Sequence, residues 1–379
     1  MRLYEVPQGA LRALLRARPV KSVIAANRVL KTWDWQGLAD DANGHNVGVL
    51  IYQRLTEAGQ LDAVPDEVAA AWLADARHAA LQHGLQLRDA LAVSAEFERE
   101  GIRHAFVKGL AYAVSLYEPR WVRFGGDVDV LVDRENIERV RTLMKKFYFT
   151  QAKFSPDHQK FWTASPEEIR AVENQHYELA EFNKWVELLD PPEWLLTEPF
   201  VPRSPFGFGW RSDKPFFCSS IDVHWALHFL FADSGPLDEV RQTDAGIPVL
   251  SPEWSLIYSI FKLYVEAFDR PRFGFTHVSD IVSLLATDIV DWNKVDQLVQ
   301  QHGLEAAAYY TLASCQALAG TATVPEQFMQ RWSAIAPPDD QQSSRLPIDF
   351  GDFVPYLAGD RSVRSLGAPQ QSTVRSKRS

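Results

Sequence analysis

The chain contains almost no cysteine: Cys218 and Cys315 are the only two among 379 residues. Two cysteines cannot supply the disulfide framework of a small secreted domain, so we expect a reducing, cytoplasmic location and no disulfide-linked partner. Long apolar runs are also missing, because no segment approaches the roughly 18 consecutive apolar residues that a membrane-spanning helix needs. The basic N-terminal stretch lacks the apolar region and cleavage site of a secretory signal. These absences predict a protein without a membrane partner.

Positive charge is in short supply as well, since the formal net charge is -10. A protein of this charge is not expected to hold a large nucleic acid through bulk electrostatic attraction, although a local basic groove is compatible with the sequence. The sequence has no internal repeat. What remains is the composition of an ordinary globular protein, with 46% hydrophobic and 23% charged residues, in a chain long enough for two or three domains.

Hydrophobic spacing changes along the chain and predicts four regions, which are residues 1–100, 101–235, 236–335 and 336–379. The first and third have helical spacing, and the stretch from Asp66 to Glu100 in the first predicts one long helix or two, ending at Gly101. The second alternates between strand and helix patterns and contains an insert, rich in aromatic residues, proline and charge, at about 150–217. The last has the composition of a linker and disordered tail. This order of elements predicts the α+β fold class.

Three short strands are predicted in the second region from the alternation of apolar residues, at His104–Val107, Val128–Val132 and Ser219–Trp225. A helix is expected between the first two strands, and another after the second. The insert has two further stretches with strand character, near Tyr177–Phe182 and Trp185–Leu189. We therefore expect a small sheet whose strands are separated by helices and by a long excursion.

Two aspartates frame the start of the second predicted strand, in the run Gly126-Asp127-Val128-Asp129. Alternation places Asp127 and Asp129 on one face, among β-branched residues that indicate an internal strand. Like charges this close raise each other's pKa unless a cation lies between them. A divalent metal is the simplest reason for such a pair, and an exposed edge strand is the alternative.

A lysine and a glycine, Lys108 and Gly109, follow the first predicted strand and open the next helix. Glycine lets the backbone approach a phosphate closely, and a helix N-terminus offers unpaired N–H groups to an anion. Lys108 could add a point charge on a triphosphate. An ordinary turn is the alternative, but the aspartate pair downstream lies at the distance that a helix and a return strand require.

A third acidic position, Asp222, alternates with His224 in the last predicted strand. Three carboxylates from two neighbouring strands can hold two Mg²⁺ ions, which orient a triphosphate and activate an attacking hydroxyl. A zinc site formed by Asp222, His224 and His228 is the alternative. It lacks a cysteine or a second histidine pair at a convincing spacing, and His228 is typical of a structural histidine.

These motifs occur in one order, which is Lys108-Gly109, Leu116-Tyr117, Arg123, Gly126-Asp127-Val128-Asp129 and Asp222-Val223-His224-Trp225. The order resembles the uncharacterised bacterial nucleotidyltransferase family, which belongs to the DNA polymerase beta-like nucleotidyltransferase superfamily. His45-Asn46-Val47 and Val278-Ser279-Asp280 are similar to the flanking helical regions of that family. The resemblance thus extends over roughly residues 30 to 320.

The resemblance implies a minimal nucleotidyltransferase fold, a small mixed sheet with helices, flanked by N- and C-terminal helical regions. The implied activity is metal-dependent transfer of a nucleoside monophosphate from an NTP donor to a hydroxyl acceptor, with release of pyrophosphate. Asp127, Asp129 and Asp222 would be the catalytic residues and would bind Mg²⁺ or Mn²⁺, as two ions. His224 would orient Asp222 through a hydrogen bond without binding the metal itself.

On the donor side, the resemblance implies that Lys108, Gly109, Arg123 and Gly126 bind the nucleotide and its phosphates. The family turn usually has serine or glycine after its glycine, whereas this chain has Leu110. That departure removes a hydroxyl contact and leaves phosphate binding to backbone N–H groups and Lys108. Arg123 is expected either to contact phosphate or to brace the aspartate strand, with a plain surface arginine as the alternative.

The acceptor is not specified by these motifs. The acidic balance of the chain favours a small molecule or peptide over tRNA, although basic and aromatic residues of the insert could form a local acceptor surface. A function from another class is a non-catalytic nucleotide-binding or protein-interaction module that keeps the nucleotidyltransferase fold. Retention of all three carboxylates argues against that alternative.

Overall fold

The computed structural model describes residues 6, 8–15, 27–155, 160–197, 207–211, 214–232, 235–269, 274–319 and 324–335. The linker and tail expected at 336–379 lie outside these residues. The chain divides into two compact units. One consists of Met1–Arg16, Val20–Ile51 and Leu256–Ser379, and the other of Ala17–Pro19 and Tyr52–Ser255.

The described helices are α1 (Gln8–Leu15), α2 (Asn27–Leu30), α3 (Trp35–Gly44), α4 (Gly48–Glu57), α5 (Asp66–Arg99), α6 (Lys108–Ser115), α7 (Ile137–Lys146), α8 (Pro166–Glu173), α9 (Glu193–Thr197), α10 (Pro252–Asp269), α11 (Gly274–Leu285), α12 (Trp292–His302), α13 (Glu305–Ala319) and α14 (Glu326–Ile335). The described strands are β1 (His104–Val107), β2 (Val128–Val132), β3 (Thr150–Ser155), β4 (Lys160–Thr163), β5 (Phe182–Glu187), β6 (Phe208–Arg211), β7 (Lys214–His224), β8 (Val240–Gln242) and β9 (Pro248–Leu250). Among these helices, none combines the length and apolar character needed to cross a bilayer.

The first unit is helical in its described residues. Its apolar spacing produces the expected buried faces, since Leu11, Leu14 and Leu15 of α1 are at most 1% exposed. A hydroxyl of α11 ties into this core, because Ser279 Oγ donates to the Leu15 carbonyl oxygen at 2.6 Å. Trp332 of α14 is fully buried and donates from Nε1 to Asp296 at 2.8 Å. This unit carries no residue of the predicted site.

The second unit is built around a mixed sheet whose strands follow the order β4-β3-β5-β7-β2-β1-β9-β8, with β6 paired to β7. Strand β2 lies between β7, which runs parallel to it, and β1, which runs antiparallel. The sequence-based expectation that the aspartate strand is internal is therefore confirmed. A mixed sheet with helices, and helical regions before and after it, confirms the α+β class and the nucleotidyltransferase fold.

One face of the central strands packs against α5, α6 and α7. Val128, Val130 and Val132 of β2 are at most 1% exposed and share a core with residues of these helices. The long helix α5 ends where predicted, because Gly101 takes a left-handed φ of +66° just beyond it. Since side chains alternate along a strand, the residues between these valines face the other side of the sheet.

The prediction of two strands in the insert near Tyr177–Phe182 and Trp185–Leu189 is wrong. A single strand, β5, runs from Phe182 to Glu187 and pairs antiparallel with β7. Before β5, Glu178 forms an isolated bridge to His224, whereas the β5–β7 register would place residue 179 there. The extra residue makes a local bulge that interrupts the strand, and such an interruption leaves no mark in the alternation pattern.

Candidate metal centre

The parallel pairing of β2 and β7 places Asp129 directly opposite Asp222 and Leu131 opposite His224. Asp222 and His224 are two residues apart, so they share the face of β7 that lies away from Ile221 and Val223. Ile221 and Val223 belong to the hydrophobic core of the second unit. Two predicted site residues nearly a hundred positions apart are thus neighbours because of strand register.

Asp129 is surrounded by donors. The residue is 3% exposed, and its Oδ1 lies 2.5 Å from Lys108 Nζ and 2.9 Å from His224 Nε2. Burial opposes ionisation of this carboxyl, but the ammonium of Lys108 and the hydrogen bond from His224 outweigh it and hold its pKa below the usual range. Asp129 is therefore a stable anion at neutral pH.

Asp222 has the opposite environment. Its Oδ1 is buried and has no hydrogen-bond partner among the described residues. Burial, followed by the negative charges of Asp127 and Asp129, raises the pKa of Asp222 well above its usual value. A buried carboxylate oxygen without a donor is costly, and each such oxygen requires an explanation.

Asp127 precedes β2 by one residue and completes the acidic group. Burial and the charge of Asp129 raise its pKa to about 7, against the opposing effect of Lys108. Three carboxyls therefore share one region with Lys108 and His224. Without a further cation, burial and the neighbouring negative charges disfavour the ionised forms of Asp127 and Asp222.

The donor set fits a divalent metal. Asp129, Asp222 and His224 each offer one ligand atom, and these atoms lie within 4.8 Å of one another. Carboxylate and imidazole ligands suit several divalent ions, and a cation would supply the missing partner of Asp222 Oδ1. His228 of the zinc alternative is outside this group, since its Nδ1 accepts from the Leu230 N–H at 3.2 Å.

The Lys108-Gly109 turn lies beside the carboxyls, at the first residues of α6. Lys108 has a φ of +53°, an uncommon conformation for a residue other than glycine. A Cβ on Gly109 would lie 3.7 Å from the Gly125 Cα, so the two glycine segments approach each other closely. Gly126, exposed, connects that approach to Asp127. The fold thus brings the predicted phosphate-binding glycines next to the aspartate strand.

Arg123 lies beside the same turn. Its Nη1 donates to the carbonyl oxygen of Phe124 at 3.1 Å and lies 3.7 Å from the position of a Cβ on Gly109. The guanidinium therefore braces the segment that leads into the aspartate strand while remaining next to the Gly109 turn. Both roles expected from the sequence, bracing and phosphate contact, are compatible with this position.

Two buried glutamines of α5 also hold the glycine segment, and the sequence motifs did not include them. Gln82 Nε2 and Gln86 Nε2 donate to the carbonyl oxygen of Gly125 at 2.6 and 3.0 Å. Both side chains are at most 3% exposed. The buried face of α5 also holds other polar residues, including His83 and Asp89, so the sequence offers no distinct signal for these two glutamines.

The insert contributes to the centre as well. The ring of Tyr177 stacks on His224, with centroids 5.9 Å apart and planes at 27°, and Glu178 Oε2 lies 3.5 Å from His224 Nδ1. Glu181 accepts a hydrogen bond from Ser220 Oγ at 2.6 Å, and its charge contributes to the raised pKa values of Asp127 and Asp222. We expected His224 to support Asp222, but its hydrogen bond goes to Asp129.

The sheet thus brings carboxylates from two parallel strands beside a glycine turn at a helix start. A family model described as "Uncharacterised nucleotidyltransferase" matches residues 31–320, and the chain belongs to that family. A search of curated proteins found no match. The family supports transferase activity in general terms, with an NTP as the expected donor.

Proposed function

We propose that this protein is a metal-dependent nucleotidyltransferase that moves a nucleoside monophosphate from an NTP to a hydroxyl acceptor. One observation carries the proposal: Asp129 and Asp222 stand in register on adjacent parallel strands, and a buried oxygen of Asp222 has no partner within the part of the chain that the structure describes. A structural carboxylate is normally satisfied, so this one is explained by a ligand that it binds. The family match supports the same class of reaction.

In this proposal, Asp127, Asp129 and Asp222 hold Mg²⁺ or Mn²⁺, as two ions. The bound cations would neutralise charge on the triphosphate and lower the pKa of the acceptor hydroxyl. The protein's own contribution is to fix the three carboxyls on β2 and β7 and to keep His224 against Asp129. Because Asp129 is 3% exposed, its charge acts in a region where water screens little.

The donor phosphates are assigned to the Lys108-Gly109 turn and the Gly126 backbone. The first N–H groups of α6 have no intrahelical partner, and the helix dipole favours an anion there. Gly109 and Gly125 leave room for close backbone approach, and Lys108 adds a positive charge. Arg123 would brace this turn and contact phosphate from its edge.

The proposed reaction is a displacement at the α-phosphorus. The acceptor oxygen forms a bond to phosphorus, the bond from phosphorus to the bridging oxygen of the β-phosphate breaks, and pyrophosphate leaves. The proton of the acceptor hydroxyl passes to Asp222 or to solvent. Asp222 suits the role of proton acceptor because of its position in the sheet. It lies on β7, whereas Lys108 follows β1, and the Asp129 strand β2 runs between them.

For the acceptor, we propose a small molecule or a peptide in preference to tRNA. Glu178 and Glu181 of the insert lie beside the centre, so the residues that adjoin it there are acidic. An RNA phosphate backbone would be repelled by these charges, whereas a compact hydroxyl compound requires no extended basic surface. The net charge of -10 points in the same direction.

The test is incubation of the purified protein with each α-labelled NTP, Mg²⁺ or Mn²⁺ and a cell extract as acceptor source. Wild type should form labelled product and pyrophosphate, and Asp222→Asn should form neither. Thermal stability with each NTP, in the presence and absence of metal, is measured in parallel. Nucleotide binding without turnover would favour the non-catalytic module, and absence of both would reject the proposal.

A further inference from the structure

One oxygen of Asp129 accepts two donors at once. Its Oδ1 lies 2.5 Å from Lys108 Nζ and 2.9 Å from His224 Nε2. A carboxylate oxygen offers about two lone-pair directions, so these donors use both. The same residue belongs to the group whose ligand atoms could hold a metal ion. A cation that binds through this oxygen therefore has to displace one of the two donors.

The two donors differ in their freedom to leave. His224 is 1% exposed, its ring stacks on Tyr177, and the Trp225 N–H binds the Tyr177 carbonyl oxygen at 3.0 Å. The histidine is thus held at its ring face and through the backbone of the residue that follows it. Lys108 has a side chain that is 24% exposed and a flexible four-carbon stem. Lysine is the donor that can move.

We propose that Lys108 is an exchangeable counter-cation of this centre. It pairs with Asp129 while no metal is bound. When a metal ion takes its place, the side chain of Lys108 moves and its ammonium pairs with the donor phosphates. The inference rests on the proposed function. It adds that metal and nucleotide bind cooperatively, because both act on the same lysine side chain. Its position supports the exchange, since Lys108 is the first residue of α6 and adjoins the Gly109 turn.

The proposal predicts effects of opposite sign from one substitution. Lys108 competes with the metal, so a neutral residue should raise metal affinity when nucleotide is absent. Lys108 also pairs with phosphate, so the same residue should lower nucleotide affinity when metal is saturating. A lysine that only stabilises the fold would produce neither pattern, and one that only binds phosphate would produce the second effect alone.

The experiment measures Mn²⁺ binding by electron paramagnetic resonance, without nucleotide and with an α,β-methylene triphosphate analogue that cannot transfer its nucleotidyl group. Lys108→Gln is neutral and can still donate a hydrogen bond to Asp129, so it should fold. We expect it to bind Mn²⁺ about tenfold more tightly than wild type, and the analogue about tenfold more weakly. Lys108→Met serves as a second neutral variant if Lys108→Gln does not fold.

Three controls separate charge from other effects. Lys108→Arg keeps the charge and should bind Mn²⁺ within about threefold of wild type. Lys146→Gln makes the same change at an exposed lysine of α7 and should match wild type in both titrations. Asp222→Asn gives the baseline for Mn²⁺ bound elsewhere on the acidic surface.

The outcomes distinguish this inference from the proposed function. If wild type binds Mn²⁺ above the baseline and Lys108→Gln binds it equally or more weakly, the exchange is wrong and the proposed function stands. If Lys108→Arg also binds Mn²⁺ more tightly than wild type, charge is not the cause and the exchange is again rejected. If neither wild type nor Lys108→Gln binds Mn²⁺ above the baseline, both proposals fail.

Discussion

A carboxylate lies on each side of strand β7, and the two have very different environments. On the core side, Asp89 of α5 is 4% exposed and accepts from Ser219 Oγ at 2.7 Å, with Lys184 Nζ at 3.1 Å. On the other side, Asp222 leaves a buried oxygen with no partner among the described residues. Ser219 and Asp222 are three positions apart, so the strand's alternation separates the two environments.

The difference teaches which carboxylate the fold uses for its own stability. Asp89 has its charge and its lone pairs satisfied by side chains of two strands, so it ties α5 to β5 and β7. Asp222 is held beside Asp127 and Asp129 at a cost to the folded state, since like charges and burial both raise its pKa. Proteins accept such costs at functional sites.

The largest effect expected from this comparison is on catalysis. Asp222→Asn should reduce nucleotidyl transfer by at least about a thousandfold, which corresponds to about 4 kcal/mol of transition-state stabilisation. The same substitution removes a repelled charge, so the metal-free variant should unfold at an equal or higher denaturant concentration than wild type. Turnover of labelled NTP and urea unfolding measure the two effects. A variant that loses stability and keeps activity would reverse the assignment.

Asp89→Asn should show the opposite pattern. The change leaves Lys184 without its anion in a largely buried position, which costs about 3 kcal/mol of unfolding free energy. The folded fraction should keep activity within about threefold of wild type, because Asp89 faces the core. Urea unfolding followed by tryptophan fluorescence gives the stability, and activity is normalised to folded protein. Loss of activity without loss of stability would show that the two sides of β7 are not independent.

A smaller effect concerns pH and the metal-free protein. Asp127 has a pKa raised from 3.8 to about 7, so the folded state holds its proton more tightly than the unfolded state, and stability falls as pH rises between these values. Asp129 has the reverse shift, and its stabilising contribution is lost only as pH falls below about 4. Between pH 4 and 7, the carboxyls with raised pKa values therefore determine how the acidic group affects stability, which falls as pH rises.

Buried histidines titrate in the opposite sense over part of this range, because burial lowers the pKa of His83 to about 4. The prediction is therefore a difference between two proteins. Asp127→Asn should equal wild type in stability near pH 4 and exceed it by about 2 kcal/mol at pH 7, in the presence of EDTA. This is about half of what the full pKa shift implies, because Asp127 is only partly buried and water screens part of its charge. Saturating Mn²⁺ should remove this advantage. A difference that does not change with pH would contradict the raised pKa.

The smallest expected effect concerns Gln86 of α5, which holds the glycine segment in place. Gln86 lies three residues before Asp89 and is one of two donors to the Gly125 carbonyl oxygen. Gln86→Leu should cost about 1 kcal/mol of unfolding free energy, since Gln82 keeps its own bond at 2.6 Å. Activity should fall severalfold, because the glycine segment loses one of its two restraints. Unchanged activity at unchanged nucleotide affinity would show that Gln82 alone fixes the segment.

Local pattern was sufficient for much of the core. The strand at Val128–Val132 and the strand at His104–Val107 have the predicted bounds, since their apolar residues are buried and no distant contact overrides them. The aspartate pair, the Lys108-Gly109 turn and Asp222 could be selected as candidates because their side chains are unusual within strands and at a strand–helix turn. Their roles remain predictions that the experiments above test.

Other parts of the site left little local signal. Gln82 and Gln86 look like ordinary polar residues of a long helix, and only tertiary contacts, such as those with the Gly125 carbonyl oxygen, give them a role. Glu178 and Glu181 lie in an insert whose strand pattern is interrupted by a bulge opposite His224. The resemblance implies that His224 supports Asp222, whereas the parallel register of β2 and β7 brings Asp129 within reach of its Nε2.

By itself, the sequence determined which side chains could carry chemistry and on which face of a strand each one lies, because alternation is a local property of the backbone. It also determined the α+β class, through the changes in hydrophobic spacing along the chain. Only the tertiary structure decided that Asp129 lies beside Asp222, that Lys108 and His224 both bond to one oxygen of Asp129, and that Asp222 Oδ1 has no donor among the described residues. Those facts depend on strand pairing between segments nearly a hundred residues apart, which no local pattern encodes.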